Sequence, residues 1–293
     1  MDIDPKASLR KHVVAVINTG GGGCDANSAG RMAEILMEAD LAHAEVISVT
    51  AEDIDKALED AVAAADVLVV LGGDGTIRNA AEKCGKAGKL LIPLPGGTMN
   101  MLPRALYGDV RWDMVLKNAL ISPKVRDVSG GMADGQPFFC VAILGPPSLW
   151  ADAREALRRG RPIQALKRSY VAFRRGGLAL DYQFGDNLFG RAEGVAVICP
   201  LVSKALAQGE HSLEAAALEP MTAGAMFRLA FHAIFDDWRR HPSVVMAKVK
   251  TVRVSGRGRV PVILDGEKVY LGATVNVVFH PLMFRAIVPA ELI

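Results

Sequence analysis

The stretch Leu68–Ala81 reads LVVLGGDGTIRNAA. Four apolar residues run into two glycines, an aspartate, a third glycine and a threonine, after which a helical pattern begins. Such a run predicts a buried strand that turns sharply into a helix N-terminus. Flexible residues and a carboxylate at the end of a buried strand suit either an ordinary turn or the floor of an active site, and this stretch alone leaves both interpretations open.

Apolar runs alternate with helical patterns on both sides of this stretch. The runs are VVAVIN (13–18), EVISVT (45–50), DVLVVL (66–71) and KLLIPL (89–94). The helical segments RMAEILMEA and EDIDKALEDAVAAA place Met32, Ile35, Leu36 and Ala39 on one face, and Ile54, Leu58, Ala61 and Val62 on another. Continuous apolar strands that alternate with helices predict a parallel sheet with helices on both faces. Ligands bind such sheets beyond the carboxyl ends of the strands.

The pattern changes after residue 125. Segments such as PFFCVAIL, GVAVICPLV and VPVILDGE are strand-like and are joined by Gly, Pro or Asp turns, which predicts a mostly antiparallel domain. Helical patterns interrupt it at 148–175 and 223–240. We therefore predict an α/β nucleotide-binding domain over 1–125 and a β-rich domain over 126–293.

Composition and charge limit the class of protein. The chain has 293 residues, of which 51% are hydrophobic, and its four cysteines are scattered without metal-ligand spacing. No run approaches a membrane span, and the net charge of +2 argues against nucleic acid as a partner. We expect a cytoplasmic protein whose contact with the inner face of the membrane is peripheral.

The segment 154–175 carries eight basic residues and one acidic residue. A solvated helical face explains such a segment as well as attraction to an anionic lipid surface does. The candidates for membrane contact are Arg158, Arg159, Arg161, Lys167, Arg168, Arg174 and Arg175.

Three glycine-rich loops follow predicted strands: NTGGGG (18–23), GGDGT (72–76) and PGGTMN (95–100). Glycine lets a backbone approach phosphate closely, and a helix N-terminus supplies N–H donors. A carboxylate such as Asp74 repels phosphate unless a cation lies between, so it indicates either a metal ion or a role in fixing the loop. The loops match neither the P-loop nor the GxGxxG pattern.

Three motifs occur in order along the chain: GGDGT, PxGTxN and, near the C-terminus, a DGE tripeptide (265–267). Together they resemble the diacylglycerol kinase catalytic-domain family. That family includes bacterial lipid kinases and the sphingosine and ceramide kinases. The resemblance implies an α/β nucleotide domain of the kind shared with NAD kinase. It also implies a C-terminal antiparallel β-sandwich with helices, whose last strand can return to the first domain. The implied activity is transfer of phosphate from ATP, with Mg²⁺, to the hydroxyl of a lipid such as diacylglycerol, ceramide or a sphingoid base. By analogy we expect a homodimer.

The resemblance also assigns roles to individual residues. The nucleotide-binding residues would be Asn18, Thr19, Gly72, Gly73, Asp74, Gly75, Thr76, Gly97, Thr98 and Asn100, with Asp74 also at the metal. Asp265 would be the base that accepts the proton of the lipid hydroxyl, and Glu267 would orient its loop. Without the family pattern, DGE reads as an ordinary Asp-Gly hairpin turn.

Two positions depart from the family pattern. Asn79 stands where many members have glutamate, and Met101 replaces the aspartate of a GTxND motif. Two alternatives to a lipid kinase stay open. One is an NAD kinase-like enzyme, because that superfamily also carries GGDGT. The other, motivated by Asn79 and Met101, is an inactive lipid-binding or regulatory homologue.

Overall fold

The computed structural model describes residues 4–145, 180–207, 209–218 and 244–290. The helices predicted at 148–175 and 223–240 lie outside the described residues, as do all the basic residues proposed for membrane contact. Among the helices that are described, none is both long and apolar enough to span a bilayer.

The chain divides into two compact units, one formed by 1–130 and 280–293 and the other by 131–279. The helices are α1 (Pro5–Leu9), α2 (Ser28–Glu38), α3 (Ile54–Ala64), α4 (Asp74–Ala87), α5 (Met101–Tyr107) and α6 (Trp112–Ile121). The strands of the first unit are β1 (Val13–Asn18), β2 (Glu45–Val49), β3 (Val67–Gly72) and β4 (Leu90–Pro95). Two further strands, β5 (Pro123–Ala133) and β16 (Thr274–Pro289), run through both units.

The first unit is a parallel sheet flanked by helices. Its strands lie in the order β2-β1-β3-β4, followed by the second part of β16, which pairs in parallel with β4. Every residue of β1 and β3 is buried, as their continuous apolar sequence predicts, whereas the edge strand β2 is only partly buried. Helix α4 packs tightly against β16, since a Cβ added to Gly85 would lie 1.9 Å from the carbonyl oxygen of Met283.

The second unit is an antiparallel β structure. Its remaining strands are β6 (Gln136–Phe138), β7 (Val141–Leu144), β8 (Leu180–Phe184), β9 (Leu188–Ala192), β10 (Gly194–Ile198), β11 (Leu213–Leu218), β12 (Val244–Val249), β13 (Thr251–Ser255), β14 (Pro261–Leu264) and β15 (Glu267–Tyr270). One sheet has the order β12-β11-β10-β7-β14-β15, and the other strands include β9-β8-β13 and the first part of β16.

Side chains from both groups of strands share one buried core. It includes Leu144, Val197 and Ala215 from the six-stranded sheet, and Tyr182, Phe184, Val254 and Val277 from the other group. Inward residues alternate along these strands as a two-layer β structure requires. The predicted fold class, an α/β domain with a parallel sheet and an antiparallel β domain, is confirmed.

Candidate functional site

The three glycine-rich loops lie together at the carboxyl ends of β1, β3 and β4, and main-chain hydrogen bonds join them. The N–H of Gly96 donates to the carbonyl of Gly72 at 2.9 Å, and the N–H of Gly23 donates to the carbonyl of Gly96 at 2.9 Å. The loops therefore form one connected main-chain surface in the first unit.

Close packing between the loops explains several of their glycines. A Cβ on Gly97 would lie 2.6 Å from the Cα of Gly73, and a Cβ on Gly21 would lie 2.5 Å from the carbonyl oxygen of Gly96. Any side chain at these positions would push the loops apart. Gly22 differs, because no atom lies within 4 Å of its added Cβ. Loop contact thus accounts for Gly21 and Gly97 without a ligand, whereas Gly22 borders open space.

Asn18 and Thr76 connect the first loop to α4. Their side chains are buried, and Asn18 Nδ2 donates to Thr76 Oγ1 at 2.9 Å. Asn18 Oδ1 accepts the N–H of Gly20 at 3.0 Å, which fixes the start of the loop. Thr19 is tied to β2, since its hydroxyl donates to the carbonyl of Val49 at 3.0 Å. These side chains hold the loops in place.

Asp74, the first residue of α4, contacts the third loop through both carboxylate oxygens. Oδ1 accepts the N–H of Met101 at 2.6 Å, and Oδ2 accepts the N–H of Asn100 at 3.0 Å. Burial raises the pKa of the Asp74 carboxyl, while these two N–H donors, the main-chain N–H of Asp74 itself and the charge of Arg104 oppose that rise. Of the two roles that the sequence leaves open for Asp74, the contacts directly account for fixing the loop.

The third loop closes on itself around Asn100. This residue has the left-handed conformation, with φ of 51°. Its Oδ1 accepts the N–H of Gly97 at 2.7 Å, and its Nδ2 donates to the carbonyl of Gly97 at 2.9 Å. Thr98 lies between these fixed points and is exposed. Within the described ranges the Thr98 hydroxyl makes no hydrogen bond, and because the residue is exposed this hydroxyl is accessible to a ligand.

The N-terminus of α4 provides the clearest anion-binding element of the loops. The helix has 14 residues, and its N-cap, Gly73, supplies no side-chain cap. The N–H groups in the first turn of a helix have no intrahelical acceptors, and the helix dipole favours negative charge there. Gly75 and Thr76 lie in this first turn, and Gly72 ends the preceding strand. A phosphate group placed here would meet main-chain donors.

A protein-held magnesium ion fits these loops poorly. In the part of the chain that the structure describes, no three His, Cys, Asp or Glu side chains group so that they could hold a metal. Asp74, the predicted ligand, uses both oxygens to accept main-chain N–H groups. The residues present fit nucleotide phosphates better than they fit a metal ion.

The DGE segment lies in the second unit, in a two-residue hairpin turn between β14 and β15. Leu264 pairs with Glu267, and Asp265 and Gly266 have φ of 47° and 89°. Positive φ at both central residues is the geometry that Asp-Gly hairpins favour. The segment is thus an Asp-Gly hairpin turn, as its sequence alone indicates.

The carboxylate of Asp265 is buried within main-chain donors. Its side chain is 3% exposed, Oδ2 accepts the N–H of Phe139 at 2.7 Å, and Oδ1 accepts those of Cys140 and Val141, each at 2.8 Å. Burial, and then the negative charge of Asp265, raise the pKa of the neighbouring Cys199 thiol well above its ordinary value. Asp265 therefore holds the 139–141 segment in place through these three hydrogen bonds.

Glu267 differs from Asp265 because it is exposed, at the first position of β15. The turn thus carries one buried and one accessible carboxylate. The N–H cradle around Asp265 is a feature that the sequence does not reveal: PFFCVAIL reads as one strand, and only the fold shows that it breaks between β6 and β7 to supply these donors.

Asn79, one of the two departures from the family pattern, contacts α3. Its Nδ2 donates to Asp55 Oδ1 at 2.8 Å, and Lys83 Nζ lies 3.2 Å from the same oxygen. The hydrogen bond from Asn79 is the main cause that lowers the pKa of Asp55. The described contact of Asn79 is therefore one between two helices.

Comparison with solved structures shows the same fold. The chain is similar to a protein of Bacillus anthracis strain Sterne proposed to be a diacylglycerol kinase, with a TM-score of 0.73, 18% identity, and coverage of 97% of this chain and 99% of that one. A structure described as a diacylglycerol kinase of the same strain gives a TM-score of 0.69 at 16% identity, with coverage of 97% and 98%. No curated protein matches the chain.

The family comparison covers the α/β part of the chain. Residues 12–132 match the family model described as the diacylglycerol kinase catalytic domain. This range contains all three glycine-rich loops and the parallel strands that position them. Over residues 12–132 the chain is therefore similar to the diacylglycerol kinase catalytic domain.

Proposed function

We propose that the protein is an ATP-dependent lipid kinase that transfers phosphate to the hydroxyl of diacylglycerol, ceramide or a sphingoid base. The match of residues 12–132 to the diacylglycerol kinase catalytic domain supports a kinase, and a kinase of that kind would use ATP as the phosphate donor. The observation that carries the proposal is the connected surface of three glycine-rich loops with the uncapped N-terminus of α4 in it.

Main-chain groups would provide most of the phosphate binding. The first-turn N–H groups of α4 would donate to phosphate oxygens, the space beside Gly22 would admit the nucleotide, and the exposed Thr98 hydroxyl would add a donor. Positioning and charge neutralisation account for most catalysis of phosphoryl transfer. Magnesium that arrives with the nucleotide would supply charge neutralisation, held by phosphate oxygens and water.

The Asp265–Glu267 turn would supply the base. A hydroxyl that attacks phosphate must lose its proton, and a positioned carboxylate contributes about 10² to 10⁴-fold to such a step. The family pattern assigns this role to Asp265, with Glu267 orienting the turn. Because Asp265 already accepts three N–H bonds and Glu267 is exposed, substitution of each carboxylate separately is needed to assign the proton.

The protein would bind its lipid substrate at a membrane surface. The basic residues of 154–175 would attract anionic lipid headgroups, each contributing about 1 kcal/mol near the surface. A homodimer remains part of the proposal by analogy. Sedimentation with vesicles that do or do not contain phosphatidylserine tests the first point, and light scattering tests the second.

The main experiment measures transfer of labelled γ-phosphate from ATP, in Mg²⁺, to mixed micelles of diacylglycerol, ceramide, sphingosine or monoacylglycerol, with NAD in a parallel tube. Asp265→Asn and Glu267→Gln test the base. Asp134→Asn is the matched control, because Asp134 also precedes a glycine in a two-residue hairpin turn and is exposed.

We expect one labelled lipid, formed by wild type and Asp134→Asn and lost in at least one of the two turn variants. Labelled NAD without labelled lipid would establish the NAD kinase-like alternative. Binding of ATP or lipid by a folded protein with no labelled product would overturn the kinase proposal and favour an inactive lipid-binding homologue.

A further inference from the structure

Asp74 joins two helices that begin at the glycine-rich loops. It is the first residue of α4, and its carboxylate accepts the N–H groups of Asn100 and Met101, the residues at which α5 begins. These N–H groups would otherwise lack acceptors, because the first turn of a helix leaves its donors unpaired. An ionised carboxylate is the strongest side-chain acceptor for them.

We propose that Asp74 is a positioning residue, which clamps α5 to α4 and thereby orients the Thr98 hydroxyl, and that it is not a ligand of the magnesium ion. The proposal rests on the proposed function, because it concerns how the same loops bind ATP. In this role the aspartate of GGDGT holds two helices together, whereas in the metal interpretation it coordinates a cation.

The contacts around the third loop carry this inference. Asn100 is held at one end by Asp74 and at the other by two hydrogen bonds of its own side chain to Gly97. Thr98 and Met99 are the only residues between these fixed points. If the Asp74 hydrogen bonds are lost, Asn100 is no longer held against α4. The loop that carries Thr98 then has no fixed position relative to the phosphate-binding helix.

The use of both Asp74 oxygens argues against metal ligation. Magnesium demands near-ideal octahedral geometry and is usually held by one or two carboxylates together with phosphates and water. Here each oxygen accepts a main-chain N–H at 3.0 Å or less, and those donors compete with a cation for the same negative charge. No group of three acidic, His or Cys side chains joins Asp74 within the described ranges.

The test compares wild type, Asp74→Asn and Asp109→Asn. Asparagine at position 74 preserves volume but replaces one acceptor with a donor that faces a main-chain N–H. Asp109 is the matched control, since it is highly exposed and its carboxylate contacts Arg104 of α5, so its substitution removes a negative charge near the same helix without touching the clamp. Three quantities are measured: amide hydrogen exchange over 97–103, Mn²⁺ affinity of the ADP complex by electron paramagnetic resonance, and the ATP dependence of turnover.

We expect Asp74→Asn to speed exchange over 97–103 and to raise KM for ATP by about tenfold, the cost of one charge-assisted hydrogen bond. We expect its Mn²⁺ affinity to equal that of wild type, and Asp109→Asn to change none of the three. A loss of Mn²⁺ affinity of about tenfold or more, with unchanged exchange, would overturn the inference.

A second variant, Asp74→Glu, keeps the inference testable if Asp74→Asn fails to fold. Asp74→Glu keeps the negative charge but moves it by one methylene, so a metal role would largely survive while the clamp would not. Fast exchange in Asp74→Glu with intact Mn²⁺ binding supports the clamp, and unchanged exchange contradicts it. Exchange and Mn²⁺ binding need no turnover, so failure of the kinase proposal and failure of this inference are distinguishable.

Discussion

Substitution of Asp265 by asparagine should destabilise the second unit, not only reduce activity. Asparagine has nearly the same shape and also tolerates the left-handed conformation that this position adopts, with φ of 47°. Its single oxygen can still accept the N–H groups of Cys140 and Val141. Its NH₂ group would then face the N–H of Phe139, which now lies 2.7 Å from a carboxylate oxygen, so two donors would oppose each other in a buried site.

The expected loss of stability follows from these contacts. One charge-assisted hydrogen bond is lost and a buried N–H is left unpaired, which together cost about 2 to 4 kcal/mol. For a domain of this size each kcal/mol lowers the melting temperature by about 2 to 4 °C, so we expect a fall of roughly 10 °C. Urea denaturation followed by circular dichroism should show a lower midpoint with an unchanged slope.

Asp134→Asn provides the comparison that isolates the effect of burial on the free energy of unfolding. Asp134 accepts from the main-chain N–H and the side chain of Asn276 through a single oxygen, Oδ1, at an exposed position. Asparagine can keep both bonds, so the free energy of unfolding should change by less than about 0.5 kcal/mol. Equal midpoints for Asp265→Asn and Asp134→Asn would refute the structural role of the buried carboxylate and leave proton transfer as the remaining function of Asp265.

Three further predictions concern the loops. Gly97→Ala should abolish nucleotide binding, measured by calorimetry, because the added Cβ would lie 2.6 Å from the Cα of Gly73. In Gly22→Ala the added Cβ has free space, so this variant should fold normally and lose ATP affinity only if the nucleotide occupies that space. Thr98→Ala should raise KM for ATP about fivefold, the value of one hydrogen bond, whereas Thr98→Ser should retain it; equal values for both would exclude the hydroxyl. Burial, and then the negative charge of Asp25, raise the pKa of the Cys24 thiol above its ordinary value. Alkylation of Cys24 by N-ethylmaleimide should therefore be slow at pH 7, quicken about tenfold per pH unit towards pH 9 and be slowed by ATP, with the three buried cysteines reacting later. A rate that does not change with pH would contradict the pKa shift.

The sequence predicts the first unit closely because its signals are local. The strand predicted at 13–18 is β1, and the helix predicted from the GGDGT turn begins at Asp74. Continuous apolar runs, alternating helical faces and glycine at strand ends all act over a few residues. Ile54 shares the predicted apolar face of its helix with Leu58, Ala61 and Val62, but it is the first residue of α3 and is only partly buried.

The sequence predicts the second unit less well because long-range contacts decide it. The sequence does not predict strand β11, LEAAAL, because alanine favours helices. Only the packing of two β layers gives its three consecutive alanines a place in a sheet. The break in PFFCVAIL depends on a carboxylate about 125 residues further along the chain, as the contacts with Asp265 show. No local rule contains that information.

The glycine-rich loops show a related limit on predicting function from motifs. Composition indicates a phosphate site, and the family match agrees, but Asn18, Thr76, Asp74 and Asn100 use the described hydrogen bonds of their side chains to tie the loops together. A motif can therefore specify a binding surface whose characteristic side chains mainly hold its main chain in position. The variants at Asp74 and Thr98 distinguish residues that hold the loops from those that touch the nucleotide.

The two Asp-Gly turns of the second unit make the same point for catalysis. Asp134-Gly135 and Asp265-Gly266 have nearly the same φ pairs, 44° and 83° against 47° and 89°, so the dipeptide determines the turn in both places. What differs is the surroundings: one carboxylate is exposed, and the other is buried against three main-chain donors. Local sequence therefore decides the conformation of each turn, whereas the topology that brings 139–141 to Asp265 decides what its carboxylate can do. A catalytic role for the DGE segment must consequently be shown by loss of transfer in a variant that remains folded, because its conformation alone is shared by a turn to which we assign no such role.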